Sequence, residues 1–262
     1  MAVKREARGL RDANAIAGQD DLPAPDEALL ALLFERGTRP SADALAALAE
    51  RDGGFMLSHV PAGEPGWLEA LVTGLTFEVH GLAPGPAEPS RPVAHRYGLP
   101  AGRWEPGLET VTLRPGPHLV GAGAMLPVVR GCVALGAALA ALPGVEAAVW
   151  LPARVAMSER YFVDAAGAWL GGGAFPALGL TALGDASDGG LESHGLAFFI
   201  GRELSVAPWP GATPAELAGI AVRAIHTLVE SGRDLPRRLT GPDGEALALE
   251  TDGATLRLRR IE

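Results

Sequence analysis

One cysteine, Cys132, stands in the 262 residues of the chain. An internal disulfide is therefore excluded, as is every zinc pattern built on clustered cysteines, and the expected setting is intracellular, in the cytoplasm. Positive charge is also in short supply: 22 Lys and Arg face 31 Asp and Glu, a net charge of −9. Nucleic acids and anionic membrane surfaces are bound chiefly through Lys and Arg, so neither is expected as a partner. The acidic balance reads as a solubility feature.

A secretory leader is missing from the first residues, because Lys4, Arg5, Arg8 and Arg11 are followed by no apolar run. Charges then change sign through Asp20, Asp21, Asp26 and Glu27, with Pro23 and Pro25 among them. Residues 1–26 are expected to form a mobile tail ahead of a single domain, 27–262. Only "LVGAGAMLPVVRGCVALGAALAALPG", 119–144, is long enough to raise the question of a membrane span. Arg130 near its middle costs about 2.5 to 3.5 kcal/mol at the bilayer centre. Val128, Cys132, Leu135, Leu139 and Leu142 fall on one helical face and Arg130 on another, which predicts a helix lying on a sheet.

Catalytic signatures are lacking too. A nucleophile elbow needs G-x-S-x-G, and "DASDG" at 185–189 has no first glycine. "GAGAML" has no third glycine and no acid placed for a ribose, and Gly171 to Gly173 are followed by no Lys-Ser or Lys-Thr. Six histidines, at 59, 80, 95, 118, 194 and 226, are scattered singly without metal-ligand spacing. Neither a metal nor a cofactor is expected, and Cys132 reads as a small core hydrophobe.

What is present is a core: 48% of the residues are hydrophobic. Strands are predicted at 28–34, 55–60, 75–82, "ETVTLR", "HLVGAG", 145–151, 177–183 and "HGLAFFI". Helices are predicted after Ser41, over "GEPGWLEALV" with Trp67 and Leu71 inward, over 125–142 and after Ser158. Residues 84–106 read as a long surface loop. Gly201 and Arg202 read as a hairpin turn with Arg202 and Glu203 at its tip. Thr213, Pro214 and Glu216 form a capping box opening a helix with His226 on its polar face, closed by Gly232. Asp252-Gly253 is expected to turn a final hairpin. The fold class is α+β, a mixed or antiparallel sheet with helices on one face; the recurring order also admits two ferredoxin-like βαββ halves, 27–107 and 108–262.

From Pro117 onward, "HLVGAG", "LGAALAALPGVEAAVWLP", "LESHGLAFFIGRELSVAP", "AVRAIHTLVESG" and "LTGPDGEALAL" follow one another in an order that resembles the uncharacterised bacterial domain of unknown function 4261 family. The resemblance covers a little over half the chain and implies a fold grouping, with no catalytic residues to carry over.

Two functions are weighed. The first is a non-catalytic binding or accessory module that recognises another protein, suggested by exposed turns, the proline-rich loop and the lack of a catalytic constellation. The second is a small-molecule, hydrolase-like enzyme assembled from strand histidines. Its candidate residues are His118 and His194 with Glu78 and Arg114, and it requires them within about 10 Å of one another. Oligomeric state is not legible in the chain.

Overall fold

A computed structural model describes residues 28–63, 65–99, 107–119, 121–232 and 234–261. The tail, 1–26, and the end of the long loop, 100–106, lie outside the described residues. The fold is α+β, with two mixed sheets.

The first sheet has eight strands in the order β2-β3-β4-β6-β1-β7-β8-β5. These are β1 (Leu30–Phe34), β2 (Met56–His59), β3 (Trp67–Val72), β4 (Leu75–His80), β5 (His95–Tyr97), β6 (Glu109–Pro115), β7 (Val145–Trp150) and β8 (Val155–Ser158). All neighbours are antiparallel except β5 and β8. All five residues of β1, between β6 and β7, are buried, as expected of a central strand covered on both faces. The second sheet has six strands in the order β12-β13-β14-β11-β10-β9. They are β9 (Ala182–Asp185), β10 (Leu191–His194), β11 (Glu203–Val206), β12 (Arg238–Thr240), β13 (Ala246–Asp252) and β14 (Thr255–Arg260), and the β11–β14 pair is parallel. The division between sheets therefore falls after residue 180. It does not fall at 107, because β6 from the second proposed half sits between β4 and β1 of the first.

Helices α1 (Ala42–Asp52), α2 (Leu126–Leu139) and α3 (Glu159–Leu170) cover one face of the large sheet, and α6 (Pro214–Ser231) covers one face of the small one. Their ends are written in the sequence. The Ser41 and Ser158 hydroxyls accept from Ala44 N and Tyr161 N, and Thr213 with Glu216 closes a reciprocal capping box. Val128, Cys132, Leu135 and Leu139 of α2 are buried against the sheet, and no helix among the described residues is long and apolar enough to cross a membrane. One continuous core joins Leu30, Leu113 and Phe162 of the first layer to Leu204, Leu228 and Leu258 of the second. Trp150 at its centre meets Phe198 edge-on and Phe199 face-on, with ring centroids 5.8 and 6.3 Å away. Phe199 continues to Phe175 and on to Trp169, over which Arg130 lies 4.7 Å from the ring centroid.

Several expected elements differ. "WLEALV" is a strand because Leu68, Ala70 and Val72 alternate into the core, whereas a helix would have turned Trp67 and Leu71 inward. "HLVGAG" opens as a 3-10 turn, Pro117–Leu119, since proline gives a ladder no N–H. In "ALGLTAL" the first half is a single irregular turn, α4 (Ala177–Leu180), and only the second half pairs as β9. In "HGLAFFI" β10 stops at His194; Ala197–Ile200 form a one-turn helix, α5, which Gly201 caps in the left-handed region. Gly201-Arg202 is thus not a hairpin loop. The last hairpin turns through Gly253-Ala254, with Asp252 and Thr255 paired across it.

The β3–β4 hairpin turns on Thr73 and Gly74, both at positive φ, 49° and 83°. That is the type I′ requirement, and an exposed β-branched residue fills its first position at a steric cost. Thr73→Asn is expected to stabilise the protein by about 1 kcal/mol. Thermal melting checks this; an unchanged or lower midpoint would mean that Thr73 is not strained.

Candidate functional site

The large sheet's second face, opposite its helices, divides into a sealed half and an open half. Over β1, β7 and β8 it presents Ala31, Leu33, Ala147, Val149 and Ala156, and the long loop lies across them with Val93 and Leu99 packed down. The loop is a strap. It is tied at one end by Glu88 N donating to the Thr110 carbonyl and by Arg114 donating to Glu88 Oε2 at 2.5 Å. At the other end Ala94 N and His95 N donate to the Arg154 carbonyl, and β5 pairs in parallel with β8.

Beneath the strap, Thr110 and Thr112 alternate with the core residues Val111 and Leu113, so their side chains point to the strap side. They are 2% and 4% exposed, and neither hydroxyl has a partner. With Pro89, Ser90, Arg91 and Val149 they line a cleft that leaves roughly 10 Å³ for the centre of a water molecule. That is the size one bridging water needs. Arg114 Nε on the same strand face is likewise buried without a partner. Buried polar atoms are nearly always paired, so three unpaired ones along one strand mark a polar floor under the strap.

On the open half, Trp67 lies between two histidines, with the His80 ring stacked on it and the His59 ring tilted, each centroid 5.7 Å away. Glu69 faces Glu78 across β3 and β4, and Glu78 faces Arg114 across β4 and β6. Like charges in direct register repel. Each glutamate is held instead by another neighbour: Ser58 donates to Glu69 Oε1 at 2.6 Å, and Glu78 Oε2 lies 2.9 Å from His80 Nε2. At the margin runs β2, the sheet's edge. Met56, 63% exposed, and Val60, 48% exposed, flank it; they are two of the three large hydrophobics exposed among the described residues.

The four residues singled out in the sequence do not converge. Glu78 and Arg114 are cross-strand neighbours, although Arg114 bonds Glu88 and Glu78 bonds His80. His118 is exposed at the end of β6, with Nδ1 3.3 Å from Thr76 Oγ1. His194 stacks on His95 at the opposite edge, with centroids 4.9 Å apart. Four strand spacings, on the order of 19 Å, separate β6 from β5, beyond the 10 Å a shared site would tolerate. His226 is half-buried and accepts from Phe175 N through Nδ1, so it is not on a solvent face. Cys132 is wholly buried, and burial pushes its thiol pKa far up, which leaves it unreactive at neutral pH. No group of three or more His, Cys, Asp or Glu among the described residues is arranged to hold a metal ion.

Glu203 was placed at a turn tip by sequence reasoning, and its role is different. Its carboxylate accepts from Gly195 N at 2.8 Å, Ala197 N at 3.1 Å, Leu196 N at 3.2 Å and the Ser193 hydroxyl. Ser193 Oγ in turn accepts from Leu204 N at 2.7 Å. Of the adjacent Ser193 and His194, only the serine is thus structural. Ser193 locks β10, α5 and β11 together, while His194 faces outward.

Comparison with family models, curated proteins and solved structures gives no match for this chain.

Proposed function

We propose that the protein is a non-catalytic binding module that recognises another protein by adding an extended segment to the edge of β2. The observation carrying this reading is the character of that edge: among the described residues β2 is unpaired on one side, has no charged residue between Met56 and His59, begins with exposed Met56 and is followed by exposed Val60. Exposed edges of this kind template strand addition, main-chain hydrogen bonds giving affinity and alternate side chains giving selectivity. Trp67 with His59 and His80 supplies an aromatic shelf beside the edge, and Glu69 and Glu78 favour a partner with Lys or Arg on the same strand face. The one buried cysteine fits an intracellular setting. The enzyme reading lacks a comparable observation, because its histidines sit at separate places on the sheets.

The test is capture from a lysate of the native cells with the full-length protein as bait, beside a Met56→Lys/Val60→Lys variant. Charges on an edge strand oppose strand addition, so a protein retained by the wild type is expected to be lost from the variant. Equal retention by both, or a lack of any specific retained protein, would overturn the reading.

A further inference from the structure

The strap ends in a contact between the two sheets. β5 is only three residues long, paired on one side with β8, and on the other side His95 meets His194 of β10. The rings stack at an interplanar angle of 29°. Space for this is built in: on the neighbouring strand β9 His194 pairs with Ala182, and its ring reaches diagonally over Gly184, where a β-carbon would stand 2.7 Å from His194 Nε2. Any other residue at 184 would push the ring out of the stack.

We propose that the His95–His194 contact is an acid-sensitive clasp, which holds β5 and the 84–99 strap against the second sheet near neutral pH and releases them when His95 charges.

Charges around His95 favour release. Burial first, then His194 and then Arg154, hold its pKa below the ordinary histidine value, and both neighbours carry its own sign. From β5 it is accompanied by Arg96 and Tyr97, and from α3 by Tyr161, whose ring stacks on Tyr97 at 5.9 Å. Glu192, two residues before His194 on β10, is the nearest acid along that strand and is not among the groups acting on His95. A histidine whose pKa is lowered by folding stabilises the closed state fully above its unfolded value, about 6.5, and loses that contribution as pH falls below it. Local release is favoured because the strap rests on a small apolar patch apart from the main core, over two unpaired hydroxyls and a water-sized gap. Opening would let water reach Thr110 and Thr112.

Hydrogen–deuterium exchange on the full-length protein at pH 7.5 and pH 5.5, corrected for the intrinsic pH dependence of exchange, tests the clasp. Peptides spanning 84–99 are expected to open roughly three- to tenfold more often at the lower pH, with α2 and α6 unchanged. His194→Phe keeps a ring against His95 without its charge and is expected to weaken the response, because burial and Arg154 still act on His95, whereas removing the His95 imidazole is expected to abolish it. His95→Phe, which removes the shifted imidazole itself, is the second variant and leaves no response to pH. The clasp is overturned by a wild-type strap that does not respond, by Phe variants that respond as the wild type does, or by α2 and α6 loosening in parallel with the strap.

Discussion

Replacing Glu203 with alanine is expected to destabilise the protein by about 3 kcal/mol, a drop of roughly 6 to 12 °C in melting temperature. Three amides at the start of α5 and the Ser193 hydroxyl lose their acceptor at once, and Leu196 and Ser193 are almost fully buried. Charge-assisted bonds of this type are worth about 1.5 to 3 kcal/mol each, and water entering the vacated space recovers part of the sum. The loss is amplified because Gly195 adopts φ +84° where the chain passes Ala153 so closely that a β-carbon would lie 2.4 Å from its methyl group. Without the carboxylate, little else holds that turn. Glu203→Gln keeps one acceptor oxygen and should recover about half the loss. Melting temperatures of the two variants within about 1 °C of the wild type would show that the carboxylate does not pin the turn.

Trp150→Ala is expected to cost more, about 4 kcal/mol. Its side chain is wholly buried and packs on Phe198 and Phe199, so its removal opens a cavity where the layers of the first and second sheets meet. Trp150→Phe should cost about 1 to 2 kcal/mol, partly offset because the indole N–H has no hydrogen-bond partner and its loss leaves nothing unpaired. Denaturant midpoints measure both. An alanine variant within about 1 kcal/mol of the wild type would mean that the aromatic cluster is not the joint between layers.

The features read correctly in the sequence are those decided by neighbours along the chain. Ser41, Ser158 and the Thr213-Pro214-Glu216 box fix helix starts through bonds spanning three residues, and the chain states them directly. "LALLF" and "VEAAVW" are largely apolar runs of strand length, too short for helices, and both are strands. "WLEALV" misled because Leu71 also sits half-buried on the second face, so its pattern satisfies helix and strand alike. "AFFI" is ambiguous because a run that is apolar at every position has no periodicity to betray its structure. Here the flanking Gly195 and Gly201, both in the left-handed region, were the better guide. The candidate site was less legible. "TVTLR" hinted at a polar face through its alternating threonines, but nothing local could say that a strap would seal them. Nor could His95 and His194, or Glu203 and the amides it binds, be matched without knowing which strands adjoin.

The place of β1 has a consequence for how the chain comes together. It is the first strand among the described residues, yet its two partners are β6 and β7, which span residues 109–150. A chain leaving the ribosome exposes Leu30 to Phe34, all five destined for full burial, long before either partner exists. In that interval the early hairpin β3–β4 can close by itself, but the sheet cannot assemble across its middle. Long-range pairings of this kind slow folding and lengthen the time that apolar strands stay open to wrong partners. The central strand thus has the longest wait, from the synthesis of Phe34 to that of Trp150, and through that interval its apolar residues are open to wrong partners.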